Sequence, residues 1–512
     1  MAAEVNITPN NQRIAKNTLF LYVRLAVVMI VNLYTTRVVL NALGVDDYGV
    51  YNVVCGFVAM FGFLNTSMSN GIQRFYNYEL GKNGHNAVAK VYKTAFVIQL
   101  LVAITMLLLT ESIGIWYLNN KMVIAADRLY SAHWIFQFSV ISMLLVIMQA
   151  PYSAAILAYE RMDYYAIVSV IDAVIKLGIA VALPYLLGDK LIIYGFLIML
   201  MQVVNMMLYY LYCKKKFSTL RLEQGLDKQQ FKSMLSFSGW NVFGSFAYVI
   251  KSQGVNVLLN SFFGTVVNAA NGIASQISSA IQTFSNNLVL AFRPQLIQSY
   301  ASGDHKRTEQ LMFSMSKISY ILMCIIAIPI IVEINYILQL WLGKDVIPDN
   351  TAIFSSLTVV ALMINTLNTP VVQVIHATGK MRNFQIATSL VVCSILPLSW
   401  ICLECGFEAV VVFWLSIILA VVNQIVCLIV LHAHFRYGVR AYILGIVIPC
   451  IVVTVISYTI PYFVTSLFEE SFGRVCLTTL CSTLSILVLF ILFLSKEEKS
   501  LLNKLLRKII KK

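Results

Sequence analysis

Six basic residues fall where a hydrophobic chain leaves little room for charge. Arg24, Arg37, Lys176, Lys251, Arg293 and Lys317 each sit inside a long apolar segment. A lone cation near the centre of a membrane helix costs roughly 2.5–3.5 kcal/mol on insertion scales. Such a residue needs compensation from water, backbone carbonyls, a fixed carboxylate, or an anion that arrives with a substrate. Fixed carboxylates are scarce: Asp172 is the one acid well inside a segment, and Glu111 and Glu333 lie close to segment ends. Asp172 stands one turn before Lys176, at the spacing of an intrahelical ion pair, so these two neutralise each other on the simplest reading. The cations left over suit a multiply charged anion, which arginine grips through forked donors.

Arg24 and Arg37 share the stretch "LYVRLAVVMIVNLYTTRVVL" at 21–40. Thirteen positions apart, they project about 140° from one another at 100° per residue. Both reach one anion only if the helix bends or the cavity is wide. Lys251 is near the middle of its segment, with Gln253 and Asn256 close by. Arg24, Arg37 and Lys251 are therefore the expected anion-binding residues, with Asp172, Lys176 and Arg293 as secondary candidates. Arg293 and Lys317 lie nearer the segment ends, where a long side chain can snorkel to the interface.

Other chemistry is thin. "CLEC" at 402–405 is a Cys-x-x-Cys with no second pair nearby, and the "HAH" at 432–434 offers too few ligands for a metal site. Asp46 and Asp47 lie in a loop that they cap or hydrate. No catalytic residue, metal or cofactor is expected. No P-loop pattern appears, so the driving force is an H+ or Na+ gradient, the membrane potential, or consumption of product outside.

The elements that hold these residues follow from composition. The chain has 512 residues, 59% of them hydrophobic and 12% charged, where a soluble domain carries about 25% charged residues. That is an all-α integral membrane protein. About fourteen segments are long enough to cross roughly 30 Å of hydrocarbon at about 1.5 Å per residue. They lie near 17–43, 49–74, 91–117, 129–157, 164–187, 191–213, 235–262, 266–298, 311–341, 352–376, 383–402, 407–431, 441–465 and 475–495. The first follows a polar stretch and is too long for a signal core, so it stays as a helix. A basic linker, "CKKKFSTLRLEQGLDKQQFKSM", separates the sixth from the seventh. The expected organisation is an N-terminal six-helix lobe (1–213), a cytoplasmic linker (214–234), a C-terminal six-helix lobe (235–435), two further helices (436–495) and a tail (496–512).

Charge orients this layout. With the N-terminus in the cytoplasm and strict alternation, most of the 37 Lys and Arg fall inside. Only Lys121, Arg128, Lys190, Lys344 and Arg474 fall in outside loops. That is the positive-inside pattern, with both termini cytoplasmic. The net charge of +14 then reports orientation and anionic membrane lipids as partners, not nucleic acid. The tail "KSLLNKLLRKIIKK" puts its leucines and isoleucines on one helical face and its cations on the other, as a helix lying on the inner leaflet does.

The two lobes repeat each other. "LNALG" at 40–44 corresponds to "LNSFFG" at 259–264. Arg74 follows Gly44 by 30 positions and Arg293 follows Gly264 by 29, and in both cases a glycine, Gly84 or Gly303, comes ten positions later. Both lobes start on the same side, which makes a parallel pseudo-symmetric pair about an axis along the membrane normal. Such a pair implies a central cavity and alternating access by rocking.

"LGVDDYGVYNVV" at 43–54, "SNGIQRFYNYELGK" at 69–82, "VNVLLNSFFGTVVNAANGIASQI" at 255–277 and "FRPQLIQSYASGD" at 292–304 resemble bacterial polysaccharide flippases. That family belongs to the multidrug, oligosaccharidyl-lipid and polysaccharide exporter superfamily, and the likeness covers nearly the whole chain. It implies a V-shaped pair of six-helix bundles in the bacterial cytoplasmic membrane. It also implies movement of undecaprenyl-pyrophosphate-linked oligosaccharide from the inner to the outer leaflet, for surface polysaccharide or lipopolysaccharide synthesis. The lipid-linked oligosaccharide is then the cargo, and polysaccharide polymerase machinery a further partner. Two alternatives stand beside it. An ion-coupled multidrug exporter of the same superfamily needs interior carboxylates, which are nearly absent here. A membrane polymerase or glycosyltransferase needs a sizeable exposed domain, and the outer loops run to about a dozen residues, short of a folded domain.

Overall fold

The computed structural model describes residues 9–59, 61–84, 88–120, 122, 124, 126–217, 220, 227–343 and 347–493. The expected amphipathic tail at 496–512 and part of the linker at 214–234 lie outside the described residues. All regular structure among the described residues is helical. Twelve helices are long and apolar enough to cross a membrane. Two of the expected segments, 49–74 and 266–298, are helical but are not among those twelve. Their departure has a physical reason. The first is broken in two, as Val45–Ala59 and Gly62–Lys82, and both segments are dense in Asn, Gln, Ser and Thr. Side chains of that kind are tolerated at membrane depth where protein, not lipid, covers them.

The chain divides into two compact units. The first holds Lys16–Ser245 with Ala301–Gly303. It contains α1 (Pro9–Leu43) from Lys16 on, α2 (Val45–Ala59), α3 (Gly62–Lys82) and α4 (Val88–Leu109). A π-helical turn at Thr110–Gly114 leads into α5 (Ile115–Asn120); α6 (Leu129–Ala158), α7 (Met162–Ala182) and α8 (Lys190–Lys216) follow. The start of α9 (Lys228–Ala301) completes the unit, because the division falls inside that helix. Helix α6 is the hub, packed against α2, α3, α4, α7 and α8. Its Ala132, Ile135, Phe136 and Val140 meet Val54 and Val58 of α2, Leu118 of α5 and Leu191 of α8 in one apolar cluster.

The second unit holds Phe246–Tyr300 and the described residues from Asp304 on, together with the start of α1 before Lys16. After the rest of α9 come α10 (His305–Val332), α11 (Ile334–Leu342), α12 (Thr351–Thr378), α13 (Met381–Cys393) and α14 (Ile395–Glu404). They are followed by α15 (Val410–His434), α16 (Val439–Tyr442), a π-helical turn at Ile443–Val447, α17 (Ile448–Leu467) and α18 (Phe472–Phe493). Here α12 is central, between α10 and α15, and α10 also carries α17 and α18. Phe354 of α12 stacks on Phe413 of α15 with ring centroids 4.1 Å apart, inside a cluster that takes in Leu259, Ala270 and Ala274 of α9.

The repeat read from glycine spacing has a backbone counterpart. Gly44 ends α1 at φ +82°, and Gly264 breaks α9 at φ +78°. Gly84 and Gly303 also share the positive sign, at +75° and +81°. Gly264, with ψ −166°, occupies a region essentially closed to residues with a Cβ. Each pair marks the same place in its half of the chain, immediately before and immediately after the polar second helix.

Candidate functional site

In the first unit a polar seam runs between helices. Leu21 of α1 is fully buried, and one turn on, Arg24 is half-buried on the same face, its guanidinium 4.8 Å from the ring centroid of Tyr165 on α7. At that range over an aromatic face a cation is attracted by the ring quadrupole. Tyr209 of α8 stands close enough to both Arg24 and Asp172 to feel their charge. Asp172 of α7 accepts a hydrogen bond from the side-chain amide of Asn205 on α8. One turn before Asn205, Gln202 donates to Gln149 of α6 at 2.9 Å. The seam thus gathers a cation, a carboxylate, two phenols and three amides from four helices.

That arrangement changes the reading of Asp172. Its hydrogen-bond partner is across the helix–helix interface, and no ion pair with Lys176 forms among the described residues. Lys176 is half-buried and lies near the Cys55 thiol. A cross-helix hydrogen bond wins here because Asn205 reaches Asp172 without bending either side chain back along its own helix.

Arg37 diverges from Arg24, as their spacing requires. Val39, two positions on and so on the opposite side of α1, packs with Ala180, Leu183 and Tyr194, while Arg37 is exposed. Arg24 and Arg37 are both in the first unit; Lys251 and Arg293 are in the second.

In the second unit Lys251 is half-buried on α9. Its neighbours one turn either way, Ala247 and Gly254, face α13 and α14: the Ala247 carbonyl accepts from the Cys393 thiol at 4.0 Å, and a Cβ on Gly254 would collide with Leu396. Lys251 therefore lies on the packed side of its helix. Asn271 donates to Asn256 at 2.6 Å across the break at Gly264. Arg293, expected to snorkel, instead donates through Nε to Oε1 of the buried Gln373 on α12 at 2.8 Å. Lys317 of α10 borders a shallow groove with Tyr320 and residues of α17 and α18.

Away from these interior groups, Arg128 joins two acids. Its Nε is 2.9 Å from Asp47 and its Nη1 is 3.4 Å from Asp189. Asp47, expected only to cap or hydrate a loop, is buried in this pair. Asp189 is the N-cap of α8, accepting from the backbone N–H groups of Leu191 and Ile192 and from Ser131 Oγ at 2.6 Å. Burial pushes its carboxyl up, but the Ser131 and backbone hydrogen bonds together with Arg128 outweigh it and hold the carboxyl below its usual range.

No family model matches the sequence, and no curated protein matches it. Solved structures do. The MATE P26A mutant aligns with a TM-score of 0.72 at 13% identity, over 84% of this chain and 97% of that one. An outward-facing multidrug resistance MATE family transporter of the MOP superfamily gives 0.71 at 12%, again over 84% and 97%. A MOP superfamily transporter from Pyrococcus furiosus Vc1 (DSM3638), described as having a binding pocket of reverse polarity that suggests a different function, gives the same values. The chain has the MATE fold. At 12–13% identity the likeness shows the fold alone.

Within the MATE fold one further buried cation stands out that the sequence alone does not mark as a site residue. Arg74 of α3 is 8% exposed, with its guanidinium 4.8 Å, 4.7 Å and 5.4 Å from the rings of Phe75, Tyr78 and Phe237. It is the counterpart of Arg293 in the repeat. The signal that could find it is the pair of 30- and 29-residue spacings from Gly44 and Gly264. Apolar length hides it, because the segment ending at Arg74 makes the residue look like a helix terminus.

Proposed function

We propose that this chain moves an undecaprenyl-pyrophosphate-linked oligosaccharide from the inner to the outer leaflet of the bacterial cytoplasmic membrane, by alternating access and for surface polysaccharide synthesis. The observation that carries the reading is an imbalance of interior charge. Arg24, Arg74 and Arg293 are buried or half-buried within helices, as is Lys251, while among the described residues the carboxylates well inside a span are two, Asp172 and Glu111. A pyrophosphate supplies the acceptors that fixed carboxylates do not. Arg24, Arg37 and Lys251 are assigned to the headgroup, with Arg293 in support. Polymerase machinery on the far side consumes the product, and anionic lipids hold the basic inner face.

A second reading, an ion-coupled multidrug exporter, is favoured by a specific feature: Asp172 with Asn205 and Tyr209 forms a compact polar site of the sort that binds H+ or Na+. The likeness of the fold to a multidrug resistance transporter points the same way. The reverse-polarity pocket of the Pyrococcus protein points to other cargo on the same fold. The two readings differ in the sign of the cargo.

Reconstitution into proteoliposomes decides between them. A fluorescent undecaprenyl-pyrophosphate saccharide is expected to become accessible in the opposite leaflet, with Arg24→Ala and Lys251→Ala slowing this at least tenfold. Efflux of ethidium driven by an imposed H+ or Na+ gradient, with no movement of the lipid-linked saccharide, overturns the flippase reading in favour of the exporter.

A further inference from the structure

Glu111 is an interior acid that neither the headgroup assignment nor the polar seam uses. It sits in the π-helical turn at Thr110–Gly114, inside the span that runs from Val88 to Asn120. Apolar length places it close to a segment end, yet the helical run continues nine positions past it to Asn120, about 13 Å at about 1.5 Å per residue. Trp116, Tyr117, Tyr130 and Trp134 are exposed at that end, as aromatic residues are at a membrane–water interface. Glu111 is five positions further in than Trp116, below that belt. Single π turns inside α-helices recur at functional positions, and an ionisable side chain at membrane depth needs a partner.

The partner here is neutral. Gln137 of α6 donates through Nε2 to Oε2 of Glu111 at 3.2 Å. Among the described residues Oε1 accepts nothing, and no cation is within ion-pair distance of either oxygen. The hydroxyls on each side are spent on the backbone: Thr110 Oγ1 donates to the Met106 carbonyl at 2.8 Å, and Ser112 Oγ to that of Leu108 at 2.6 Å. Titratable groups on the packed elements are engaged elsewhere. Cys55 of α2 meets Ser139, while Tyr48 and Tyr51 pack toward Val39 and Tyr194. Tyr117 of α5 stacks on Phe57, Arg128 is taken by Asp47 and Asp189, and α3 carries no such group before Arg74. Lys93 of α4 is eighteen positions away. That leaves His133 of α6, four positions before Gln137 and so on the same face, with Nε2 2.9 Å from Oδ1 of Asn119. These groups form a ladder from the helix end inward, first Asn119 with His133 and then Gln137 with Glu111. The ladder stops there. Further in, the same helices close on Ala103, Met106, Met143 and Ile147, all apolar.

We propose that Glu111 is a proton-binding site of the transporter, loaded from this end of the first unit past His133 and Gln137. A carboxylate in apolar surroundings with no cation beside it is costly, and a proton on Oε1 removes the charge. In the neutral form Oε2 still accepts from Gln137 while Oε1 becomes a donor. Imidazole suits the approach, because it takes a proton on one ring nitrogen and releases one from the other. The apolar dead end makes Glu111 a store: its proton leaves by the way it came, or after the helices move. The proposal concerns the driving ion and not the cargo, so it stands on either reading above.

Labelling of the full chain in proteoliposomes with N,N′-dicyclohexylcarbodiimide tests this in the absence of any cargo. The reagent partitions into the bilayer. The O–H of a protonated carboxyl adds across one of its N=C bonds, and the adduct rearranges to a stable N-acylurea that keeps every atom of both. Peptide mass spectrometry is expected to find this adduct on Glu111, and its yield to fall about tenfold from acid to alkaline buffer as the proton is lost. Glu111→Gln is expected to abolish it. Gln137→Leu removes the amide that favours the charged form, so labelling is expected to persist to higher pH, a shift that a glutamine serving only to pack α6 would not produce. No adduct on Glu111 at any pH overturns the proposal, and so does labelling that is indifferent to pH. Protection by Na+ at constant pH and ionic strength also overturns it, because the site is then one for a metal ion.

Discussion

Asn205 on α8 donates its side-chain amide to the Asp172 carboxylate on α7, and Lys176, one turn along the same helix as Asp172, is not the partner. The acid with the best credentials for an intrahelical pair is thereby committed to fastening two helices. A buried amide that loses its acceptor costs about 1–3 kcal/mol. Asp172→Ala is therefore expected to lower the melting temperature of the purified protein clearly, whereas Lys176→Gln is expected to change stability by less than about 0.5 kcal/mol. Equal losses from the two substitutions show that the intrahelical pair forms after all.

The break in α9 makes a second, sharper demand. Gly264 combines φ +78° with ψ −166°, and Gly44 sits at φ +82°. Neither site is crowded, since no atom lies within 4 Å of a Cβ built there. Conformation alone excludes a side chain. Gly264→Ala is expected to cost about 1–3 kcal/mol, and Gly44→Ala about 1–2 kcal/mol. Thermal melts of the two variants check this, and an unchanged melting temperature for Gly264→Ala refutes it.

Those glycines show what a sequence can disclose about such a molecule. Positive φ is written into residue identity, so the spacing Gly44–Arg74–Gly84 against Gly264–Arg293–Gly303 carries the repeat. Apolar length likewise carries the all-helical architecture. Rotation and register between helices are not written in any one segment. Nothing in α7 announces that Asp172 faces Asn205, thirty-three positions away, or that Arg293 meets Gln373 eighty positions away. The polarity of α3 is visible in its residues, but its meaning is not: the run from Gly71 to Asn77 is buried throughout, which makes Arg74 an interior residue despite its place near a helix end.

Asp189 gives a pH dependence whose sign follows from its environment. Its carboxyl is held below the usual range, so its contribution to stability is fully present above the unfolded value of about 3.9. That contribution disappears as pH falls through the lower folded value. The wild type and Asp189→Asn are expected to differ in melting temperature at pH 6, and the difference is expected to shrink below about pH 4. Asp189→Ala removes the N-cap as well, at a cost of about 0.5–2 kcal/mol. A wild type whose margin over Asp189→Asn grows on acidification has the opposite linkage.

Glu333 and Arg474 supply the most stringent test of how this fold treats buried charge. The Glu333 side chain is completely buried at the end of α10. Arg474, in the first turn of α18, grips both of its oxygens: Nε lies 3.1 Å from Oε1 and 3.2 Å from Oε2, and Nη2 lies 2.8 Å from Oε2. The remaining Nη1 donates to the Phe468 carbonyl at 3.1 Å, while Glu470 stands further off at 3.8 Å. Removing the cation leaves a desolvated carboxylate, which for buried pairs costs about 3–5 kcal/mol. Arg474→Lys keeps the charge but cannot make the fork, so it is expected to recover only part of that loss. Replacing both partners, Glu333→Leu with Arg474→Leu, removes the stranded charge together with the attraction. If the clasp works by avoiding an uncompensated acid, the double variant melts higher than Arg474→Ala, despite carrying one more substitution. A double variant less stable than Arg474→Ala shows instead that the pair itself, beyond mutual neutralisation, binds α10 to α18.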